Sequence, residues 1–218
     1  MSDDIKIDLI PDSQVSPTDD FINFKIIIIG DSGVGKSSIL KRAVQNKFDQ
    51  NYQATIGFEF LLMHFQVNEL KIKLQIWDTC GQEMYKSLVQ GFYRNTSLAL
   101  VVYDINKKKT FENTDVWIKD LRQNTEEGLP IFIAGNKNDL EREVALDEAK
   151  VYSTSTRTNY FTECSAKTGT NIQKIFYEAA ICLYKTYKQI KSQNKLPSSG
   201  KLKIGDKNSL PVKKKKCC

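Results

Sequence analysis

The chain has 218 residues, enough for one sizeable domain with a buried core and a tail, and its 40% apolar fraction is ordinary for a globular protein. No run approaches the roughly 20 apolar residues that span a bilayer, and the acidic start MSDDIKIDLIPDSQ lacks the basic and apolar regions of a secretory signal, so a cytosolic chain is expected. The net charge of +6 is concentrated in Lys191–Cys218, where nine lysines face one acid, Asp206, leaving the rest at −2; this points to an anionic membrane and away from a nucleic-acid face spread over a fold.

Residues 1–21 are polar with two prolines and read as a flexible leader. Phe24–Ile29 is an almost unbroken apolar run ending at Gly30, as expected of a strand buried on both faces. Lys36–Asn46 carries Ile39, Leu40, Ala43 and Val44 at helical spacing. Phe58–Val67 and Leu70–Trp77 form a hairpin across Asn68-Glu69, a turn without its usual glycine. Leu98–Tyr103, Leu129–Ala134 and Tyr160–Cys164 are further strands, with helices at Phe111–Asn124, Asp147–Thr156 and Ile172–Lys191. This alternation predicts an α/β fold with a doubly wound, mostly parallel six-stranded sheet and one antiparallel strand, over residues 22–191. From 192 onward Pro197, Gly200, Gly205, Pro211 and mutually repelling lysines predict a disordered tail.

Ligands of such sheets bind at the carboxyl ends of the strands, so the loops there carry the candidates. Gly30-Asp31-Ser32-Gly33-Val34-Gly35-Lys36-Ser37 fits G-x-x-x-x-G-K-[ST] between a strand and a helix. Backbone N–H groups from Ser32, Gly33, Val34, Gly35 and Lys36 through Ser37 and Ser38 can surround a phosphate, helped by the positive end of the helix. Lys36 reaches the outer phosphates and the Ser37 hydroxyl can ligate magnesium. This alone leaves ATP and GTP both open.

Asn136-Lys137-Asn138-Asp139 matches the guanine-reading pattern N-K-x-D. Guanine presents two adjacent donors, N1–H and the 2-amino group, that one carboxylate accepts; adenine would leave Asp139 unpaired. Asn136 holds the loop, and the Lys137 stem covers the base face. Ser165-Ala166-Lys167 follows the last strand, where a backbone N–H at the alanine closes over the base. Asp78-Thr79-Cys80-Gly81-Gln82 matches D-x-x-G-Q: Asp78 to hold magnesium through a water, Gly81 to bond the γ-phosphate, Gln82 to orient the attacking water. Thr55, after Phe48 and Tyr52 and before Gly57, is a second hydroxyl ligand for magnesium. Phe48 stands where an aromatic packs on guanine, a core position being the alternative. Cys164 and Cys182 are expected to be packing residues.

The ordered set resembles the Ras superfamily over roughly residues 24–190, and within it the Rab family. Ile56-Gly57-Phe58-Glu59-Phe60, Lys73-Leu74-Gln75-Ile76-Trp77-Asp78-Thr79, Phe92-Tyr93-Arg94 and Val102-Tyr103-Asp104-Ile105 are similar to Rab stretches, as is the ending Lys213-Lys214-Lys215-Lys216-Cys217-Cys218. The resemblance implies a GTPase switch bound to GTP or GDP and Mg2+, slow at hydrolysis for want of an arginine in cis. It implies an effector-contacting triad at Phe60, Trp77 and Phe92, with a core role the alternative for Trp77. It implies two geranylgeranyl groups on Cys217 and Cys218, since stable anchoring takes two signals. It also implies an exchange factor, an activating protein, a dissociation inhibitor, an escort protein and effectors as partners, with the chain a monomer on the cytoplasmic face of an internal membrane. Two departures stand out: Cys80, where alanine is usual, and Met84-Tyr85, where arginine and an aromatic are common.

Overall fold

The apolar run before Gly30 becomes the middle of a seven-stranded sheet in the computed structural model, which describes residues 5–50, 58–79, 91 and 93–194. The strands are β1 (Ile7–Ile10), β2 (Ile22–Ile29), β3 (Phe58–Val67), β4 (Leu70–Thr79), β5 (Leu98–Asp104), β6 (Ile131–Asn136) and β7 (Tyr160–Glu163), in the order β1-β3-β4-β2-β5-β6-β7. β4, β2, β5, β6 and β7 are mutually parallel, while β3 runs antiparallel to β4 and β1 antiparallel to β3. Among the described residues they are accompanied by α1 (Lys36–Gln45), α2 (Lys108–Glu112), α3 (Thr114–Asn124), α4 (Leu146–Ser155) and α5 (Ile172–Asn194).

β2 reads as a continuous apolar run because both its faces are covered. Phe24, Ile26 and Ile28 point to a core shared with Ile39, Leu40 and Ala43 of α1 and Ile175, Phe176 and Leu183 of α5. Ile27 and Ile29 point the other way, to Phe111 of α2, Trp117, Ile118 and Leu121 of α3 and Ala149 of α4. The β3–β4 turn manages without glycine because Asn68 takes the left-handed conformation, φ 48°, which its short polar side chain tolerates.

Several sequence-based boundaries are corrected. The expected single helix over Phe111–Asn124 is two, meeting at Asn113, whose carbonyl accepts from the Val116 and Trp117 N–H groups. β6 begins two residues later than its apolar run, and α5 continues to Asn194, past the predicted start of the tail. No described helix is long and apolar enough to cross a membrane.

The larger correction concerns the leader. Polar composition predicts a flexible segment over 1–21 and hence six strands, yet Ile7–Ile10 adds the seventh at the β3 edge, in register from Ile7 opposite Val67 to Ile10 opposite His64. Ile5 and Ile7 pack against the first core. The Lys6 N–H donates to Asn68 Oδ1 at 2.9 Å, and the Asn68 N–H returns to the Lys6 carbonyl at 2.9 Å. Asp12 then approaches His64 Nδ1 at 3.2 Å, the Phe21 ring lies 4.9 Å from that imidazole, and Asp19 pairs with Lys71 at 2.6 Å. The segment thus crosses the outer face of the β3–β4 hairpin. Its short alternation of Ile5, Ile7 and Leu9 with Lys6 and Asp8 is hidden in a polar leader, and it folds because β3 offers it an unpaired edge. Deleting residues 1–10 should lower stability by about 2–3 kcal/mol, from three half-buried isoleucines and their strand pairing. The urea midpoint measures this, and an unchanged midpoint would refute the account.

Candidate functional site

The carboxyl ends of β2, β4, β5 and β6 converge on the loop between β2 and α1. Gly30 leaves β2 at φ 141°, and a Cβ there would lie 2.2 Å from the Val102 carbonyl oxygen. Gly35, at φ 96°, begins α1; a Cβ on it would lie 2.4 Å from Asn136 Nδ2. Both glycines are therefore set by close approach as well as by backbone conformation. The first N–H groups of α1, from Lys36, Ser37 and Ser38, have no intrahelical acceptor, as at any helix start. Lys36 is almost fully buried and its ammonium donates to the Gly30 and Asp31 carbonyls, each at 2.8 Å. The loop is closed around a cation with amides and a helix start beside it, an arrangement suited to a polyphosphate.

The loop after β6 is tied directly to this one. The Asn136 amide donates to the Val34 carbonyl at 2.8 Å, and its oxygen accepts the Ala166 N–H at 3.1 Å, so one buried side chain joins three loops. The Lys137 ammonium donates to the Gly33 carbonyl at 2.8 Å and pairs with Asp104 at 2.7 Å. Asp139 accepts from Ser165 Oγ at 2.5 Å and lies 3.8 Å from Lys167 Nζ. Its side chain is only 15% exposed, so a base edge would meet an oriented and poorly hydrated carboxylate. Cys164, directly before this turn, is buried, and burial pushes its thiol up to about 12; it is a packing residue, as expected.

At the end of β4, Ser37 Oγ donates to Asp78 Oδ2 at 2.5 Å. Asp78 is fully buried, and its Oδ1 has no hydrogen-bond partner among the described residues. Burial raises its carboxyl to about 6. A hydroxyl beside a buried carboxylate with an orphaned oxygen is a donor set that fits a hard divalent cation. Thr55, Tyr52, Gly81, Gln82 and Cys80 lie outside the described residues, as do Met84-Tyr85 and the tail with Cys217 and Cys218.

On the outer face of the hairpin, Phe60 and Trp77 pack at a tilt with ring centroids 5.0 Å apart, with Phe58 5.5 Å from Trp77. Phe60 is 40% exposed, while Trp77 is half-buried and packs against the second core. Phe92 lies outside the described residues. Phe48 is partly buried against the first core and carries the Arg42 guanidinium 6.0 Å from its ring centre.

Three supports escaped the sequence reading. Asp31 turns away from the phosphate side and accepts from Asn113 Nδ2 at 2.7 Å and Trp117 Nε1 at 2.8 Å, fixing the loop to the α2–α3 junction. Arg42 of α1 donates to the Ala166 and Lys167 carbonyls, both at 2.8 Å, holding the turn after β7. Asp104, the partner of Lys137, ends β5; in the sequence it is part of a Rab-like stretch and an acid closing an otherwise apolar buried strand, neither of which marks its partner.

The model of the Ras family matches residues 25–185. Ras-related protein RABA1c of Arabidopsis thaliana is 39% identical over 203 residues, covering 89% of this chain and 93% of its own length. Ras-related protein Rab11B of Nicotiana tabacum is 39% identical over 202 residues with the same coverage. Ras-related protein rab-11.1 of Caenorhabditis elegans is 38% identical over 199 residues, covering 89% of this chain and 94% of its own.

Proposed function

The chain belongs to the Ras family as a Rab-type small GTPase, and from that premise we propose that it is a magnesium-dependent GTP/GDP switch that recruits effectors to an intracellular membrane in vesicle traffic. The observation that carries this reading is the single side chain of Asn136, which joins the phosphate loop at Val34 to the base-closing turn at Ala166. A loop with amides and a buried lysine and a loop with an oriented carboxylate are thereby held as one site. In it, the Ser32–Ser38 amides and Lys36 bind the phosphates, and Asp139 reads guanine between Lys137 and Ala166. Phe48 and Tyr52 flank the nucleotide.

Ser37, Thr55 and Asp78 would hold the magnesium, with the orphaned Asp78 oxygen as its support. When bound, it offsets charge on the β- and γ-phosphates. Gly81 and Thr55 sense the third phosphate, and Gln82 orients the attacking water. Ordering and release of these segments is the switch. Exchange factor, activating protein, dissociation inhibitor and effectors act on it, the last through Phe60, Trp77 and Phe92. Cys217 and Cys218 carry the lipid that, with the lysines before them, holds the chain on an anionic cytoplasmic leaflet.

Competition against a fluorescent GDP analogue tests the core of this reading. GTP and GDP should displace it at least about a thousandfold more effectively than ATP, since a site built for a specific donor pattern rejects its absence by about four decades or more. Equal displacement by ATP would overturn it. Loss of single-turnover hydrolysis in Gln82→Leu, with binding intact, tests the catalytic assignment.

A further inference from the structure

Asp104 is a carboxylate at the last position of an otherwise wholly apolar strand, with a side chain 1% exposed. Both of its oxygens are engaged. Oδ1 accepts the Asn106 N–H at 3.0 Å, and Oδ2 faces Lys137 Nζ at 2.7 Å. Its backbone is fixed as well, the Asp104 N–H donating to Thr110 Oγ1 at 2.9 Å. Asp104 therefore cannot follow Lys137; Lys137 must come to it.

Lys137 is held under constraint. Its backbone lies at φ 69°, a left-handed conformation disfavoured for any residue with a Cβ. Its ammonium bridges Asp104 and the Gly33 carbonyl of the phosphate loop. Without the fixed charge behind it, a side chain 30% exposed has water as an alternative, and the tie to Gly33 competes with hydration. The link between base loop and phosphate loop would then lose one of its two side-chain ties seen among the described residues, leaving that of Asn136.

We propose that Asp104 is a positioning residue of the nucleotide site, acting through Lys137 to keep the base loop and the phosphate loop closed together and so setting how slowly guanine nucleotide leaves. This rests on the reading of Gly30–Ser38 and Asn136–Asp139 as that site. The charge neither touches the nucleotide nor reads the base. It selects the one placement of Lys137 in which the stem lies over the base and the head holds Gly33. Losing it shortens residence and leaves association nearly unchanged, because the open loops still admit the nucleotide.

The test is release of a fluorescent GDP analogue from the loaded full-length chain, chased with unlabelled GDP, for the wild type, Asp104→Asn, Lys137→Met and the double variant. Asp104→Asn should speed release about tenfold, as truncating one side of a buried charge pair acts on the off-rate. The double variant should release no faster than Lys137→Met alone, because a residue that acts through another has no effect once that other is gone. Unchanged release in Asp104→Asn overturns the proposal. So does an acceleration that multiplies with that of Lys137→Met, or an Asp104→Asn chain that fails to fold with excess GDP while Lys137→Met folds; each makes Asp104 a support of the fold only. A wild type that holds no GDP would instead overturn the nucleotide reading itself.

Discussion

Replacing Asp139 with asparagine is expected to cut affinity for GDP and GTP by about a hundred- to ten-thousandfold, from losing two charge-assisted hydrogen bonds at about 1.5–3 kcal/mol each. The same change should create a preference for xanthosine nucleotides. Guanine offers two donors where an amide has one acceptor and one donor of its own, so one donor meets another. Xanthine keeps N1–H and carries an oxygen in place of the 2-amino group, which the new amide N–H can meet. The fold should survive, because the contact that orients this side chain is Ser165 Oγ donating to Asp139 Oδ1, and an amide oxygen accepts equally well. The Lys167 ammonium, 3.8 Å away and more than half exposed, contributes little. Titration with GDP and XDP decides the matter. Retained GDP affinity would remove Asp139 from the base site, and loss without a gain for XDP would mean that the turn had collapsed.

Asp139 was legible in the sequence because its chemistry is local: three residues after a buried strand, in a fixed pattern. The same holds for Gly30–Ser37 and for the alternation of apolar runs that becomes the parallel sheet. What was illegible is what depends on distant pairing. The alternation in IKIDLI is short and set in a polar leader, and it becomes a strand because Val67 and His64 offer it an edge. Asp31 reads as a loop residue of the phosphate motif, yet its carboxylate faces Asn113 and Trp117, more than 80 residues on. Asp104 reads as part of a family-like stretch, and its role appears only when β5 and β6 set it beside Lys137. The motif thus names the groups able to touch a nucleotide. The fold supplies the groups that aim them, and these carry no spacing of their own because each is fixed by a tertiary contact.

Lys36 gives the second large effect, and its signature differs from that of Asp139. Its ammonium is buried and donates to the carbonyls of Gly30 and Asp31, both neutral acceptors. A polyphosphate would add full negative charge to those neutral acceptors, which makes the interaction strong and specific to the phosphates. Lys36→Met keeps the length and apolar stem and removes only the charge. It should weaken GDP and GTP binding by about a hundred- to several-thousandfold, corresponding to the roughly 3–5 kcal/mol lost when one partner of a buried ionic contact is removed. Lys36→Arg should not restore binding, since a planar fork cannot replace a compact ammonium inside a loop closed by Gly30 and Gly35. Guanosine, which lacks phosphates, separates the two sites. Its weak affinity should be untouched by Lys36→Met and abolished by Asp139→Asn, while GDP suffers in both. A Lys36→Met chain that lost guanosine and GDP in equal proportion would show that the lysine holds the whole site together and that the division between a phosphate half and a base half is wrong.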